Sequence, residues 1–512
     1  MLYQPSEFMF RRFFVNIILS IAFDLSFDLL YLCFKIFLSL NLDIMRIMLL
    51  LLCLAAMSVS CAESFSSADG EKPRVMVLTD AEIDDQLSMV RFLLSSNEYE
   101  VEGIVTTSSQ FHWVGHAWAG NEWLEPFLAA YREVYPNLAK HDPAYPAPDY
   151  LESVSMLGNI NAEGEMEEVT PGSEHIVKVL LDETDDRPIW FQAWGGMNTL
   201  ARALKTIEET HPEKMEYVAS KIRFYFIWEQ DNTYQEYIHP VWGKYNIPTI
   251  LSDQFWAIAY AWRNLLPEQQ QAYFQPEWII ENILEDHGAL CEIYRARNGR
   301  FSSEGDSPSF LYNINTGLNN MDHPEWGSWG GRYVWVRENT YADPIPVDDP
   351  DWVYQEGRYS PMLAWAGQNR DASHDLILKY YSPISHWVDA FQNDFASRAD
   401  WCVKSYEDAN HAPVVVVKGE QFRTAAPGET LKLDASKSND PDGDDLSFSW
   451  WQYTTADTYA GEVAVENAAS AVVSVKIPDD AKSGDTIHIV CEAEDSGSPS
   501  LTRYARVVIT IR

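Results

Sequence analysis

Val75-Met76-Val77-Leu78-Thr79-Asp80-Ala81-Glu82-Ile83-Asp84-Asp85-Gln86 decides how the rest of this 512-residue chain is read. An apolar run with strand character stops at Asp80, and an Asp-Asp pair then opens a helix predicted over Gln86–Leu94. In open α/β sheets, ligands bind beyond the carboxyl ends of the strands. Three carboxylates crowd this end, and they repel unless a cation, a proton or a hydrogen-bond network compensates them. A helix cap would need only one of them. The stretch is therefore either a metal or catalytic site or a solvated loop.

The same unit recurs downstream. Val101–Thr107 is a β-branched run ending in Ser108-Ser109-Gln110, followed by the aromatic stretch Phe111–His116. Glu174–Glu183 has helical periodicity. Pro188–Ala193 reads as a strand that ends in Trp194-Gly195-Gly196, with a helix over Met197–Ile207. Ile222–Ile227 reads as a buried strand ending at Trp228-Glu229-Gln230-Asp231. Strand, polar loop and helix in succession predict an α/β domain, a mainly parallel sheet flanked by helices. Asp343–Asp351 reads as a surface loop.

The pattern changes near Asn410. Short alternating runs follow at Val414–Lys418, Thr430–Asp434, Leu446–Tyr453, Ala471–Ile477, Thr486–Ala493 and Arg503–Ile511, with Gly, Pro, Asn and Asp between them. This predicts a small all-β immunoglobulin-like sandwich over 411–512. Asn439–Asp445 is a tight turn, similar to loops in polycystic-kidney-type and cadherin-like modules, some of which bind calcium.

A formal net charge of -39 excludes phosphate-backbone recognition, so no nucleic-acid partner is expected. Six cysteines carry no metal-ligand spacing; a Cys402–Cys491 bridge is left open. Met45-Arg46 followed by an apolar core and Ser58-Val59-Ser60-Cys61 reads as an export signal ending in a lipoprotein box. Cys61 would then be lipidated, giving a secreted or outer-membrane/periplasmic lipoprotein whose only membrane attachment is that anchor. Residues 1–44 become an extension ahead of the true start, the alternative being a two-segment membrane anchor. Residues 62–71 form a polar tether, and the main domain spans 72–410.

Thr79–Asp85 resembles the Asp-Thr-Asp-Pro-Gly-x-Asp-Asp fingerprint of the inosine–uridine nucleoside hydrolases. Gly103–Thr107 resembles the family's next strand, and Ala193–Ala201 its Gly-Pro-Leu-Thr-Asn helix start. Glu304–Leu311, Gly327–Tyr333 and Trp387–Asn410 resemble a narrower group, secreted bacterial cellulose-binding proteins with a nucleoside hydrolase-like domain. The resemblance implies a calcium ion held by Asp80, Asp85, the Trp194 carbonyl and Asp306. It also implies that Asp80 is the general base and that Asp84 binds sugar hydroxyls. Gln110 falls where the family places a sugar-contacting Asn. Asn198, Trp228, Gln230 and Asp231 complete the expected substrate contacts.

Leu78 replaces the first fingerprint Asp, Ala81-Glu82 replaces Pro-Gly, and Asn198-Thr199 reverses the family's order. No segment matches the family's ribose-binding Asn and Glu, so the metal site reads as retained and the nucleoside pocket as rebuilt. The chain carries 19 Trp; Trp113, Trp118, Trp123, Trp194, Trp228, Trp326 and Trp329 fall in or near predicted loops, where flat rings can seat sugars. The functional expectation is a calcium-dependent hydrolase of N-glycosyl or related glycosidic bonds in a carbohydrate or glycoside substrate. The alternatives are a non-catalytic protein that binds a cellulose-like polysaccharide, and a lipoprotein scaffold.

Overall fold

The computed structural model describes residues 64–66, 70–294, 304–349, 351–354 and 364–512, and Ser64–Arg512 forms one compact unit. The export and lipidation readings at 1–61 lie outside the described residues. Among those described, no helix is long and apolar enough to cross a membrane.

Strand β1 (Ser64–Ser66) precedes the main sheet. That sheet contains β2 (Arg74–Thr79), β3 (Glu100–Thr106), β4 (Ser155–Leu157), β5 (Ile189–Ala193), β6 (Ile222–Ile227), β7 (Thr249–Ser252), β8 (Val334–Arg337) and β9 (Thr340–Ala342). Their order is β4-β3-β2-β5-β6-β7-β9-β8. All neighbours are parallel except β8 and β9, which are antiparallel. Every residue of β2 is buried, as expected for a strand covered on both faces. Alternate residues serve opposite cores, as the two-residue strand period requires. Val75 and Val77 pack with the helix α1 (Ile83–Leu94), and Met76 and Leu78 with the helix α2 (Asn198–Thr210).

The chain winds outward from β2 through β3 to β4, then returns to place β5 on the other side of β2. The β2/β5 boundary is therefore a switch point, where loops diverge and leave a crevice at the strands' carboxyl ends.

The remaining strands are β10 (Val416–Lys418), β11 (Phe422–Ala425), β12 (Thr430–Asp434), β13 (Leu446–Gln452), β14 (Val465–Glu466), β15 (Val472–Lys476), β16 (Thr486–Asp495) and β17 (Thr502–Ile511). Two sheets, β11-β17-β16-β13 and β12-β15-β14, enclose a separate apolar core. Two of these strands, β11 and β14, escape the sequence reading, and β11 runs parallel to β17. The expected tether also departs from prediction. Ser64–Ser66 pairs antiparallel with β10, because Phe65 of its polar-apolar-polar triplet packs on the sandwich core.

No Cys402–Cys491 bridge forms. Cys291, Cys402 and Cys491 are free; Cys402 lies beside Cys291, whereas Cys491 belongs to the sandwich core.

Candidate functional site

The turn from β2 into α1 ties itself together. Thr79 Oγ1 donates to Asp85 Oδ1 at 2.5 Å and accepts the Ala81 N–H at 3.1 Å. The Asp80 N–H reaches the same Asp85 oxygen at 3.2 Å, and the Glu82 N–H donates to Asp80 Oδ1 at 3.2 Å. Gln86 Nε2 donates to the Ala81 carbonyl at 2.9 Å. Ala81 sits in the left-handed region with φ 63°. Proline, locked near φ −65°, cannot adopt that conformation, so losing the fingerprint's Pro goes with a different path for this turn. Asp84 and Asp85 fall in the first turn of α1, where the helix end favours negative charge.

Asp306 arrives from across the chain, immediately before helix α3 (Ser307–Asn313). Its N–H donates to Ser88 Oγ at 3.1 Å. One turn further along α1, Arg91 pairs with Glu304 at 2.6 Å. Glu304 also accepts from Tyr294 and Ser307 hydroxyls at 2.8 and 2.7 Å. Gly305 between them has no room for a side chain, since a Cβ would lie 2.1 Å from Asp84 Oδ2. Thus α1 carries two of the acids and also holds the loop that delivers a third.

These side chains form two overlapping triads joined by the contact of Asp80 with Asp85. Asp84, Asp85 and Asp306 can each bring a carboxylate oxygen within 4.8 Å of the others; Asp80 does the same with Glu82 and His112. Asp80 and Asp306 are 1% exposed and Asp84 is 7% exposed. Asp80 Oδ2, Asp84 Oδ1 and Asp306 Oδ2 are buried with no hydrogen-bond partner. Burial raises the pKa of Asp80, Asp84, Asp85 and Asp306, Asp84 to about 7; neighbouring carboxylates push Asp84, Asp85 and Asp306 further up. Buried charge without a counter-charge is costly, so the residues suit a cation bound by hard oxygens.

The other expected site residues divide between crevice and scaffold. The Trp194 carbonyl accepts from Gln230 Nε2, which also donates to the Ile227 carbonyl at 3.1 Å. Gln230 is thereby fixed between two strand ends, and at least one Trp194 lone pair is occupied. Asn198 is fully buried; its amide donates to Ser108 Oγ at 2.9 Å and to the Asn159 and Glu165 carbonyls at 2.8 Å. Asp231 accepts the Asn198 N–H at 3.0 Å and both the N–H and hydroxyl of Thr233 at 2.9 and 2.6 Å. Asn198 and Asp231 therefore build the floor beneath the crevice, with their side chains hydrogen-bonded within the fold. Gly196 explains why they can do so, since a Cβ there would meet Ser108 O at 2.2 Å and Asp231 Oδ2 at 2.3 Å. Gln110 is half-buried, its N–H donating to the Gln230 carbonyl at 2.7 Å.

The tryptophans are mostly anchors. Trp194 is 1% exposed, donates to Ser309 Oγ at 2.8 Å and packs edge-on against Phe92. Trp123, Trp326 and Trp329 are buried, while Trp113 and Trp118 remain partly exposed in their loop. Trp228 is also buried, with φ 62°, and its ring packs on Phe255 and Trp256. Trp256 in turn meets Tyr260 edge-on, and the Tyr260 hydroxyl reaches Glu82 Oε1 at 3.3 Å. Trp256 and Tyr260, absent from the sequence reading, form an aromatic rim beside the acids. They follow β7, so the strand-end rule would have found them had that short strand been recognised. Asp343, expected on a surface loop, is instead buried, accepting the Asp253 and Gln254 N–H groups at 2.6 and 3.2 Å.

A covered, mainly parallel sheet with acids at its switch point agrees with a nucleoside hydrolase-like fold, a class that usually binds a metal ion. Residues 74–333 match the family described as cellulose-binding Sde182, nucleoside hydrolase-like domain, and residues 430–511 match cellulose-binding protein Sde0182, C-terminal domain. The chain belongs to this family. It is 32% identical to a nucleoside hydrolase-related hypothetical protein from Saccharophagus degradans that is associated with carbohydrate metabolism. That match covers 86% of this chain and 100% of the other, with a TM-score of 0.68. A plant nucleoside hydrolase matches at 12% identity over 49% of this chain and 81% of its own, with a TM-score of 0.26. No curated protein matches the chain.

Proposed function

We propose that this protein hydrolyses an N-glycosyl or related glycosidic bond in a carbohydrate-containing substrate outside the cytoplasm, using calcium held by Asp80, Asp85, the Trp194 carbonyl and Asp306, with Asp84 beside them for sugar hydroxyls. The observation that supports this reading is the set of buried, unpartnered carboxylate oxygens on Asp80, Asp84 and Asp306 at the switch point. When bound, the ion supplies positive charge that orients sugar hydroxyls and favours deprotonated water. Asp80 Oδ2, with its second oxygen already bonded to the Glu82 N–H, is the atom positioned to take a proton from attacking water. Gln110 and the Trp256/Tyr260 rim flank the approach and would meet hydroxyls and the apolar face of a sugar ring. Export through the signal ending at Cys61 belongs to the same proposal, as does the division into 72–410 and 411–512. A Cys61→Ser chain should leave the envelope fraction for the soluble one; retention there would refute the anchor.

A second reading, polysaccharide binding without turnover, is favoured by one observation: Asn198 and Asp231 spend their polar groups inside the fold. The family's cellulose-binding description agrees with it. The two readings part in a calcium-supplemented screen of nucleosides and plant-wall oligosaccharides. Turnover that falls at least about a hundredfold in Asp80→Asn supports the hydrolase. Binding without turnover supports the alternative.

A further inference from the structure

Two buried histidines meet where the chain passes from the main domain into the β-sandwich. His141 is the last residue of the helix Glu125–His141, and His411 lies just ahead of β10. His141 Nδ1 is 2.9 Å from His411 Nε2, and His141 Nε2 is 3.1 Å from the Lys404 carbonyl oxygen. His411 Nδ1 lies 2.9 and 3.1 Å from the two carboxylate oxygens of Asp442, and its backbone N–H donates to Asp442 Oδ2 at 2.7 Å. Asp442 belongs to the turn Asn439–Asp445, which backbone bonds of 2.8 and 3.1 Å tie to Val414. Both rings are more than nine-tenths buried, His141 stacked on Trp401 and His411 on Tyr406. Carbonyl and carboxylate oxygens only accept hydrogen bonds. His141 Nε2 and His411 Nδ1 must therefore each carry a hydrogen, and the contact between the rings needs a third. Two neutral imidazoles carry only two, so one ring is an imidazolium. Burial lowers the His141 pKa, and the carboxylate faces His411, so the charge belongs on His411.

We propose that this imidazolium is a proton-operated clip: His411, held between Asp442 and His141, fastens the Asn439–Asp445 turn to the main domain and releases it when the proton leaves. Without that proton, either two ring lone pairs face each other at 2.9 Å or His141 Nε2 faces the Lys404 oxygen with no hydrogen between them. One buried contact turns repulsive in either case. The neighbouring charges fit the assignment. On the His141 side are Lys140 and Lys404, the latter paired with Asp400 at 2.8 Å, which also meets His287 at 3.3 Å. Asp440 and Asp444 lie beside Asp442, and Asp495 and the Tyr406 hydroxyl face the same acids. The clip stabilises the junction while His411 holds its proton, and that contribution is lost as rising pH removes it. Neither turnover nor the metal cluster enters this device.

The test uses the full chain labelled with 15N-histidine, at fixed calcium, with His141→Gln and His411→Gln to assign the two rings. At about pH 6 the ring-nitrogen spectrum should show His411 protonated on both nitrogens and His141 protonated on Nε2 alone. By about pH 9 the imidazolium pattern should be gone, and deuterium exchange across 439–445, corrected for its intrinsic pH dependence, should rise roughly tenfold or more. In His411→Gln, exchange in that turn should already be raised at the lower pH and should not change further. Asp442→Asn, which keeps the shape and removes the counter-charge, should lose the imidazolium at lower pH than wild type does. Melting curves establish that each variant is folded. Two neutral rings at the lower pH would overturn the proposal, as would turn protection that is equal at both pH values in the wild type.

Discussion

Calcium raises the melting temperature of the wild-type protein, and Asp306→Asn abolishes that rise: this is the expected result if the acid cluster holds the ion. Asp306 is a clean probe because its N–H bond to Ser88 Oγ and its carbonyl bonds from Ser309 belong to the backbone and survive the substitution. Only the charge of a buried side chain whose Oδ2 lacks a partner is removed. A ligand that binds only the folded state at a hundredfold excess over its Kd adds about 2.7 kcal/mol. The substitution should also change the sign of the comparison. In chelator the variant should melt above wild type, because one member of a mutually repelling buried set is gone. In calcium it should melt below. Asp85→Asn, next to Thr79 Oγ1, should behave alike. Scanning calorimetry in chelator and in calcium decides the matter, and an equal calcium response in wild type and Asp306→Asn would exclude the cluster.

The sheet was legible because its central strands are long and apolar on both faces; β2, β5 and β6 lie where hydrophobic runs predict them. Strands of two to four residues, such as β7, β11 and β14, carry too few positions for a period to show. Position on a strand end located Asp80, Asp84 and Asp85 but not their partners. Which carboxylate faces which depends on the left-handed Ala81 and on a loop that Arg91 and Glu304 bring in from more than two hundred residues away. Asn198 and Asp231 show the reverse. Their place beside the site was readable, but the Gly196 contact that turns them into its floor is a packing fact. Loop tryptophans likewise advertised exposure, and most are anchors whose indole rings bury large apolar area.

Acid should weaken the attachment of the sandwich to the main domain, through His488. Arg506 of β17 is buried, donating to the Leu318 and Trp326 carbonyls at 2.8 Å, and its Nη1 lies 3.2 Å from His488 Nδ1 on β16. Guanidinium has only donors, so His488 Nδ1 must accept and the ring must be neutral. The Trp326 ring meets the imidazole edge-on at 4.9 Å, closing the site from the main domain. Burial and the adjacent Arg506 charge lower the His488 pKa to about 3, against about 6.5 in an unfolded chain. Below pH 6.5 the unfolded state therefore binds a proton that the folded state refuses. This contribution to stability is complete above about pH 6.5 and declines as pH falls towards 3. At 1.36 kcal/mol per unit, lowering the pH from about 7 to about 4.5 should cost roughly 2–3 kcal/mol at this residue. His488→Asn keeps an acceptor for Arg506 and cannot titrate, so its denaturation free energy should fall by that much less over the same interval. Urea titrations of both proteins at the two pH values measure the difference, and parallel losses would place the acid sensitivity elsewhere.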